Sequence, residues 1–139
     1  MASIHIESAV AVSADTAWKA LRQVGRADQL FAPVLDAADV HGDVRTVHFA
    51  NGPKLHERII DVDESTRRVA YTALDTPGLT YHHASMQIVE DGPKRCRFVW
   101  TTDFLPDEAA SGIRPVIEAG TKALKTNLET GNGSARASA

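Results

Sequence analysis

The run Val44-Arg45-Thr46-Val47-His48-Phe49-Ala50-Asn51-Gly52-Pro53-Lys54-Leu55-His56-Glu57-Arg58-Ile59 alternates apolar and polar side chains on both sides of a tight Asn-Gly-Pro break. Period two around such a break is the signature of an antiparallel hairpin with one buried face. Pairing must set buried side chains against buried ones. A three-residue loop, 51–53, puts Phe49 against Leu55, Val47 against Glu57, Arg45 against Ile59, and His48 opposite His56 outside. A two-residue loop would oppose Phe49 and Lys54, so the three-residue loop is the expectation.

The same alternation continues on either side, from Val34 to Phe104, with breaks at Gly42-Asp43, Asp63 to Thr66, Thr76-Pro77-Gly78 and Asp91-Gly92-Pro93. It makes Val69, Tyr71, Ala73, His82, Ala84, Met86, Ile88, Cys96, Phe98, Trp100, Thr102 and Phe104 inward. Arg68, Thr72, His83, Gln87, Arg95, Arg97 and Asp103 fall outside, as water requires. At Ile59-Ile60 the parity breaks, which marks a bulge.

Before the meander lie a β-like opening, Ile4 to Val12, and a helix that Ser13 caps and Asp15 supports at its positive end. Ala17, Trp18, Leu21 and Val24 recur at helical spacing, and Gly25 is the expected left-handed stop. A second short helix, Ala27 to Phe31, ends before Pro33. After the meander, Ile113, Val116-Ile117, Gly120, Leu124 and Leu128 form the stripe of a long amphipathic helix. Glu118 with Lys122, and Lys125 with Glu129, suit i,i+4 pairing on its wet side. Pro115 suggests a kink or a start there. The expected organisation is one domain over residues 1–130 and a frayed tail over 131–139.

This order gives an α+β domain in which a curved antiparallel sheet wraps a long C-terminal helix, with two short helices after the first strand. A sheet curled around one helix leaves room between them for a ligand. With 15 Lys+Arg against 18 Asp+Glu in 139 residues, the net charge of −3 gives no basic footprint for nucleic acid. The single Cys96 builds neither a disulfide nor a thiolate zinc site. The opening residues lack an export signal, and no apolar run is long enough for a bilayer. The expectation is a cytoplasmic protein without membrane insertion, monomer or homodimer.

Val12-Ser13-Ala14-Asp15 with Trp18 and Leu21, Gly42 with Arg45, Gly52 with Glu57-Arg58, Asp63 with Arg67-Arg68 and Tyr71, and Trp100 with Asp103-Phe104 and Pro106 resemble one known pattern. It is that of the START-like, Bet v 1-like (SRPBCC) superfamily, and within it the polyketide cyclase/dehydrase and lipid transport group, from Ile4 to about Leu128. Gly42-Asp43-Val44 departs from the Gly-x-Gly of many relatives. The resemblance implies a helix-grip fold with a cavity for a small apolar or amphipathic molecule. Its members include carriers and receptors, aromatic polyketide cyclases and co-chaperone domains, so fold does not choose among them.

The inward polar residues are Arg45, Glu57, Tyr71, His82 and Thr102, set among Val47, Phe49, Leu55, Met86, Phe98 and Trp100. Two readings compete. In the first, the cavity holds a hydrophobic or aromatic metabolite, bounded by Glu57, Phe49, Leu55, Met86, Phe98, Trp100, Thr102, Val116 and Gly120. A bulky residue at Ala84 should then block it. In the second, a cyclase or dehydrase uses His82 as base, with Arg45 and Tyr71 stabilising an enolate. The bland alternatives are a structural Arg45–Glu57 ion pair, a satisfied strand histidine and aromatic core filling. No cofactor is implied: there is no phosphate-cradling glycine loop and no nucleophile elbow. Six histidines raise the question of a metal. His82 and His83 point to opposite faces, and His48 with His56 lacks a third ligand, so none is expected.

Overall fold

The computed structural model describes residues 2–131. Strands β1 (Ala2–Val10), β2 (Leu35–His41), β3 (Val44–Phe49), β4 (Lys54–Asp63), β5 (Arg68–Leu74), β6 (Tyr81–Glu90) and β7 (Cys96–Leu105) form one antiparallel sheet in the order β1-β7-β6-β5-β4-β3-β2. Helices α1 (Ala14–Leu21) and α2 (Ala27–Leu30) follow β1, and α3 (Ala110–Glu129) closes the chain. The inward strand positions are those the alternation assigns: along β7, Cys96, Phe98, Trp100, Thr102 and Phe104 are buried and the residues between them are not. Ile60 is the extra residue of a bulge between Ile59 and Asp61, and it faces solvent.

Three local readings need correction. The β3–β4 register is shifted by two residues: Arg45 faces Glu57, Val47 faces Leu55, and His48 faces Lys54 rather than His56. Inside-outside parity is the same in both registers, so alternation could not separate them. The connection is longer because Phe49 N–H donates to the Pro53 carbonyl and Gly52 N–H to that of Phe49. His56 meets Thr46, whose Oγ1 is 2.9 Å from Nδ1.

Second, α1 ends at Leu21 with Arg22 in right-handed conformation, and Gly25 sits in a 3-10 turn instead. Its bareness serves packing: a Cβ there would stand 3.0 Å from Val40 Cγ1 of the neighbouring strand. Third, Pro115 lies inside α3, and Val116 of the expected stripe is 40 % exposed. Lys125 and Glu129 pair at 2.9 Å, whereas Glu118 and Lys122 do not pair. The expected tail lies outside the described residues from 132 onward.

α3 is held where its polar side chains reach loop carbonyls. Asn127 Nδ2 donates to the carbonyls of Leu30 and Ala32, both at 2.8 Å, and Lys125 Nζ to that of Ala9. Its burial is lopsided: Ile117, Gly120, Thr121, Ala123, Leu124, Asn127 and Leu128 are buried, all in the C-terminal two-thirds. Under that part Ile4, Val10, Phe98, Phe104 and Leu124 make a filled core, each at most 1 % exposed. Under the N-terminal turns the sheet is not reached, and a space remains.

Candidate functional site

That space is a cavity of about 200 Å³ between the sheet and the first half of α3. Its floor comes from β3 to β7 and its roof from Gly112, Ile113, Val116, Ile117 and Gly120. Gly120 lets the helix close on the sheet: a Cβ there would come within 2.8 Å of Trp100 Cζ3. Phe31 packs beside them, its ring centroid 5.7 Å from that of Trp100 and its Cδ1 3.7 Å from where a Gly120 Cβ would stand.

Of the residues singled out from sequence, Arg45, Tyr71, His82, Glu57, Phe49, Leu55, Met86, Trp100, Thr102, Val116 and Gly120 all border the cavity. Phe98 does not; it lies in the filled core, edge-on to Trp100 at 5.9 Å. Ala84 is fully buried between the wall residues Tyr71 and Thr102 without lining the cavity itself, so a bulky side chain there would also displace the core. Wall residues that sequence reasoning missed are Ala27, Phe31, Val34 and Leu35 around α2, and Thr76 and Leu79 before β6. The run of apolar residues between α2 and β2 was the available signal.

The polar wall is organised by the register. Arg45, Glu57 and Ala73 stand in one row across β3, β4 and β5. Tyr71, Ala84 and Thr102 stand in another across β5, β6 and β7. Arg45 and Glu57 are 6 % and 7 % exposed, and burial of either charge alone would be costly. They meet directly, Arg45 Nε and Nη2 both donating to Glu57 Oε1 at 3.0 and 2.7 Å. A further guanidinium N–H reaches the Val24 carbonyl, and the group lies over the Tyr71 ring at 5.3 Å. No described residue donates to Glu57 Oε2. Tyr71 Oη accepts from Trp100 Nε1 at 3.1 Å, and its own proton has no acceptor among the described residues. Burial first, then the Glu57 charge, push its phenol well above the usual range, so it stays protonated.

His82 is decided by a gap in the sheet. The β5–β6 ladder stops at Tyr71↔Ala84, although both strands continue. The unpaired Ala73 N–H donates instead to His82 Nδ1 at 2.9 Å, and Thr72 Oγ1 donates to the His82 carbonyl at 2.6 Å. An amide can only donate, so Nδ1 is the acceptor and the ring proton sits on Nε2. Desolvation, then the neighbouring His83, push the pKa down to about 4 against the pull of Asp103. Neutral His82 therefore presents a donor to its surroundings. The reading of His82 as a base is corrected accordingly: in this tautomer neither nitrogen is free to take a proton.

Among the described residues no group of three or more His, Cys, Asp or Glu could hold a metal. No helix among them is long and apolar enough to cross a membrane.

A curved seven-stranded sheet gripping a C-terminal helix over an apolar cavity defines the START-like, Bet v 1-like helix-grip class. Residues 1–129 match the family model described as "Polyketide cyclase / dehydrase and lipid transport", and the chain belongs to that family. A protein of Thermobifida fusca solved by NMR is 31% identical, with TM-score 0.68 over 93% of this chain and 91% of that one. A START superfamily protein from Mycobacterium smegmatis is 13% identical, with TM-score 0.77 over 92% and 97%. Norcoclaurine synthase from Thalictrum flavum, in complex with dopamine and hydroxybenzaldehyde, is 22% identical, with TM-score 0.71 over 91% and 86%. No curated protein matches the chain.

Proposed function

We propose that the protein binds a small hydrophobic or aromatic metabolite between the sheet and the N-terminal half of α3. The cavity carries this reading: about 200 Å³ of space under an apolar roof in a chain whose other half is filled. An engineered apolar cavity of about 150 Å³ holds benzene, so the volume suits a molecule of one or two rings. Native mass spectrometry of protein purified from its own host, compared with the denatured sample, tests for a co-purifying small molecule. Saturable uptake of a hydrophobic fluorescent probe should disappear in Ile113→Trp, whose indole fills the cavity from the roof, while the melting temperature stays close to wild type. Uptake unchanged by Ile113→Trp would overturn the reading.

A second reading rests on the gathering of Arg45, Tyr71 and His82 on one wall. It is a cyclase or dehydrase acting on a carbonyl substrate, with all three as donors that polarise the carbonyl oxygen. His82→Asn keeps an acceptor for Ala73 N–H and loses the Nε2 donor. It should lower turnover about a hundredfold with affinity retained. Full activity in that variant and in Tyr71→Phe would end this reading.

A further inference from the structure

Glu57 uses one carboxylate oxygen and leaves the other idle. Oε1 takes both hydrogen bonds from Arg45, and Oε2 has no donor among the described residues although Glu57 borders the cavity. A carboxylate oxygen on a wall of mostly apolar side chains calls for a donor. Close to it the wall offers the opposite sign of group. Tyr71 has an O–H proton without an acceptor among the described residues, and His82 has its Nε2–H. The two rings are 5.9 Å apart, and Arg45 lies over Tyr71, which keeps Glu57, Tyr71 and His82 at one end of the cavity. The rest of the wall is mostly apolar, with Val34, Leu55, Phe49, Leu79, Met86 and Ile113, and adds the hydroxyls of Thr76 and Thr102, the latter without a partner among the described residues.

The chemistry of the occupant follows by elimination. A hydrocarbon would leave acceptor and donors unpaired under an apolar roof. A carboxylate would satisfy the donors but bring its charge against Glu57, whose own counter-charge is already engaged. An amine would satisfy Oε2 and set its remaining N–H groups against Tyr71 and Arg45. A ketone or ether would serve the donors alone. A hydroxyl both donates and accepts, and it carries no charge.

We propose that the cavity selects neutral molecules carrying a hydroxyl on a small aromatic or alicyclic frame, and that Glu57 Oε2 is the atom that sets this preference. The proposal rests on the reading of the cavity as a ligand site. Equilibrium dialysis at pH 7 with 2-naphthol, naphthalene and 2-naphthoate tests it on a constant skeleton. The naphthol should bind about tenfold more tightly than naphthalene, the factor one net hydrogen bond supplies, and the naphthoate more weakly than both. In the double variant Arg45→Met/Glu57→Leu, which leaves no unpaired charge, the naphthol should lose its advantage. Should that variant fail to fold, Tyr71→Phe removes a single oxygen and should cut the advantage by about threefold. Equal affinity of the wild-type protein for naphthol and naphthalene would overturn the proposal and leave the ligand site standing. An advantage undiminished in the variants would do the same. Failure of all three probes to bind would overturn the ligand site itself.

Discussion

The two ends of the sheet share one alternating pattern and come to opposite results. At the β1–β7 end, nine consecutive register pairs join the strands, and Ile4, Phe98 and Phe104 interlock with Leu124 without space. At the β3–β5 end the inward positions carry Arg45, Glu57 and Tyr71, and the ladder to β6 breaks off early. What separates them is the covering helix. α3 presents Leu124 and Leu128 to the first end, and Gly112 and the half-buried Ile113 to the second. Alternation makes a face inward; only the helix decides whether inward means packed.

If this contrast is right, equal truncations should cost unequal amounts. Phe98→Ala in the filled half should lower stability by about 3–5 kcal/mol, against about 1 kcal/mol for Ile113→Ala at the roof, where no new void is created. Denaturant titration of both variants reads the difference, and similar losses would erase the distinction. The polar wall should behave in its own way. Arg45→Ala strands a buried carboxylate and should cost about 3–5 kcal/mol, whereas Arg45→Met/Glu57→Leu should lie within about 1 kcal/mol of wild type or above it. An equally large loss in the double variant would mean that the pair stabilises the fold outright.

The gap between β5 and β6 should make stability depend on pH. With the His82 pKa pushed down to about 4 from an ordinary 6.5, the ring is neutral in both states above 6.5. As pH falls through this window the unfolded chain takes up the proton first, so stability drops, and below about 4 nothing further is lost. Allowing for partial solvent access, the drop should be about 2 kcal/mol. Denaturation at pH 7 and pH 4.5 measures it, and His82→Asn, which keeps the acceptor without titrating, should flatten it. The smallest effect belongs to Gly120→Ala. The methyl would press on Trp100, yet that indole borders empty space and can yield, so the cost should stay near 1 kcal/mol while the cavity shrinks and probe affinity falls.

Much of this was legible in the sequence. Inward and outward sides of β3 to β7 followed from polarity, and the Ile59-Ile60 doublet announced its bulge. The shift between β3 and β4 was not, because a slip of two residues preserves every side chain's face. It also moved Arg45 from a diagonal to a direct partner of Glu57. Phe98 and Trp100 are equivalent by alternation, and only the path of α3 makes one of them core and the other wall. Phe31, Val34 and Leu79 enter the wall from irregular segments, whose course periodicity does not describe. The proton on His82 depended on an Ala73 amide that lacks a strand partner, a tertiary fact with no local mark.

That borrowed bond also bears on amide exchange. Most N–H groups of the sheet are held by a carbonyl across the ladder, whose acceptor strength does not change in mild acid. The Ala73 amide is held by an imidazole, which stops being an acceptor once it is protonated. Deuterium uptake at Ala73 would therefore quicken on acidification while exchange elsewhere in the sheet slows, making one backbone position a readout of whether a single histidine is still in its place.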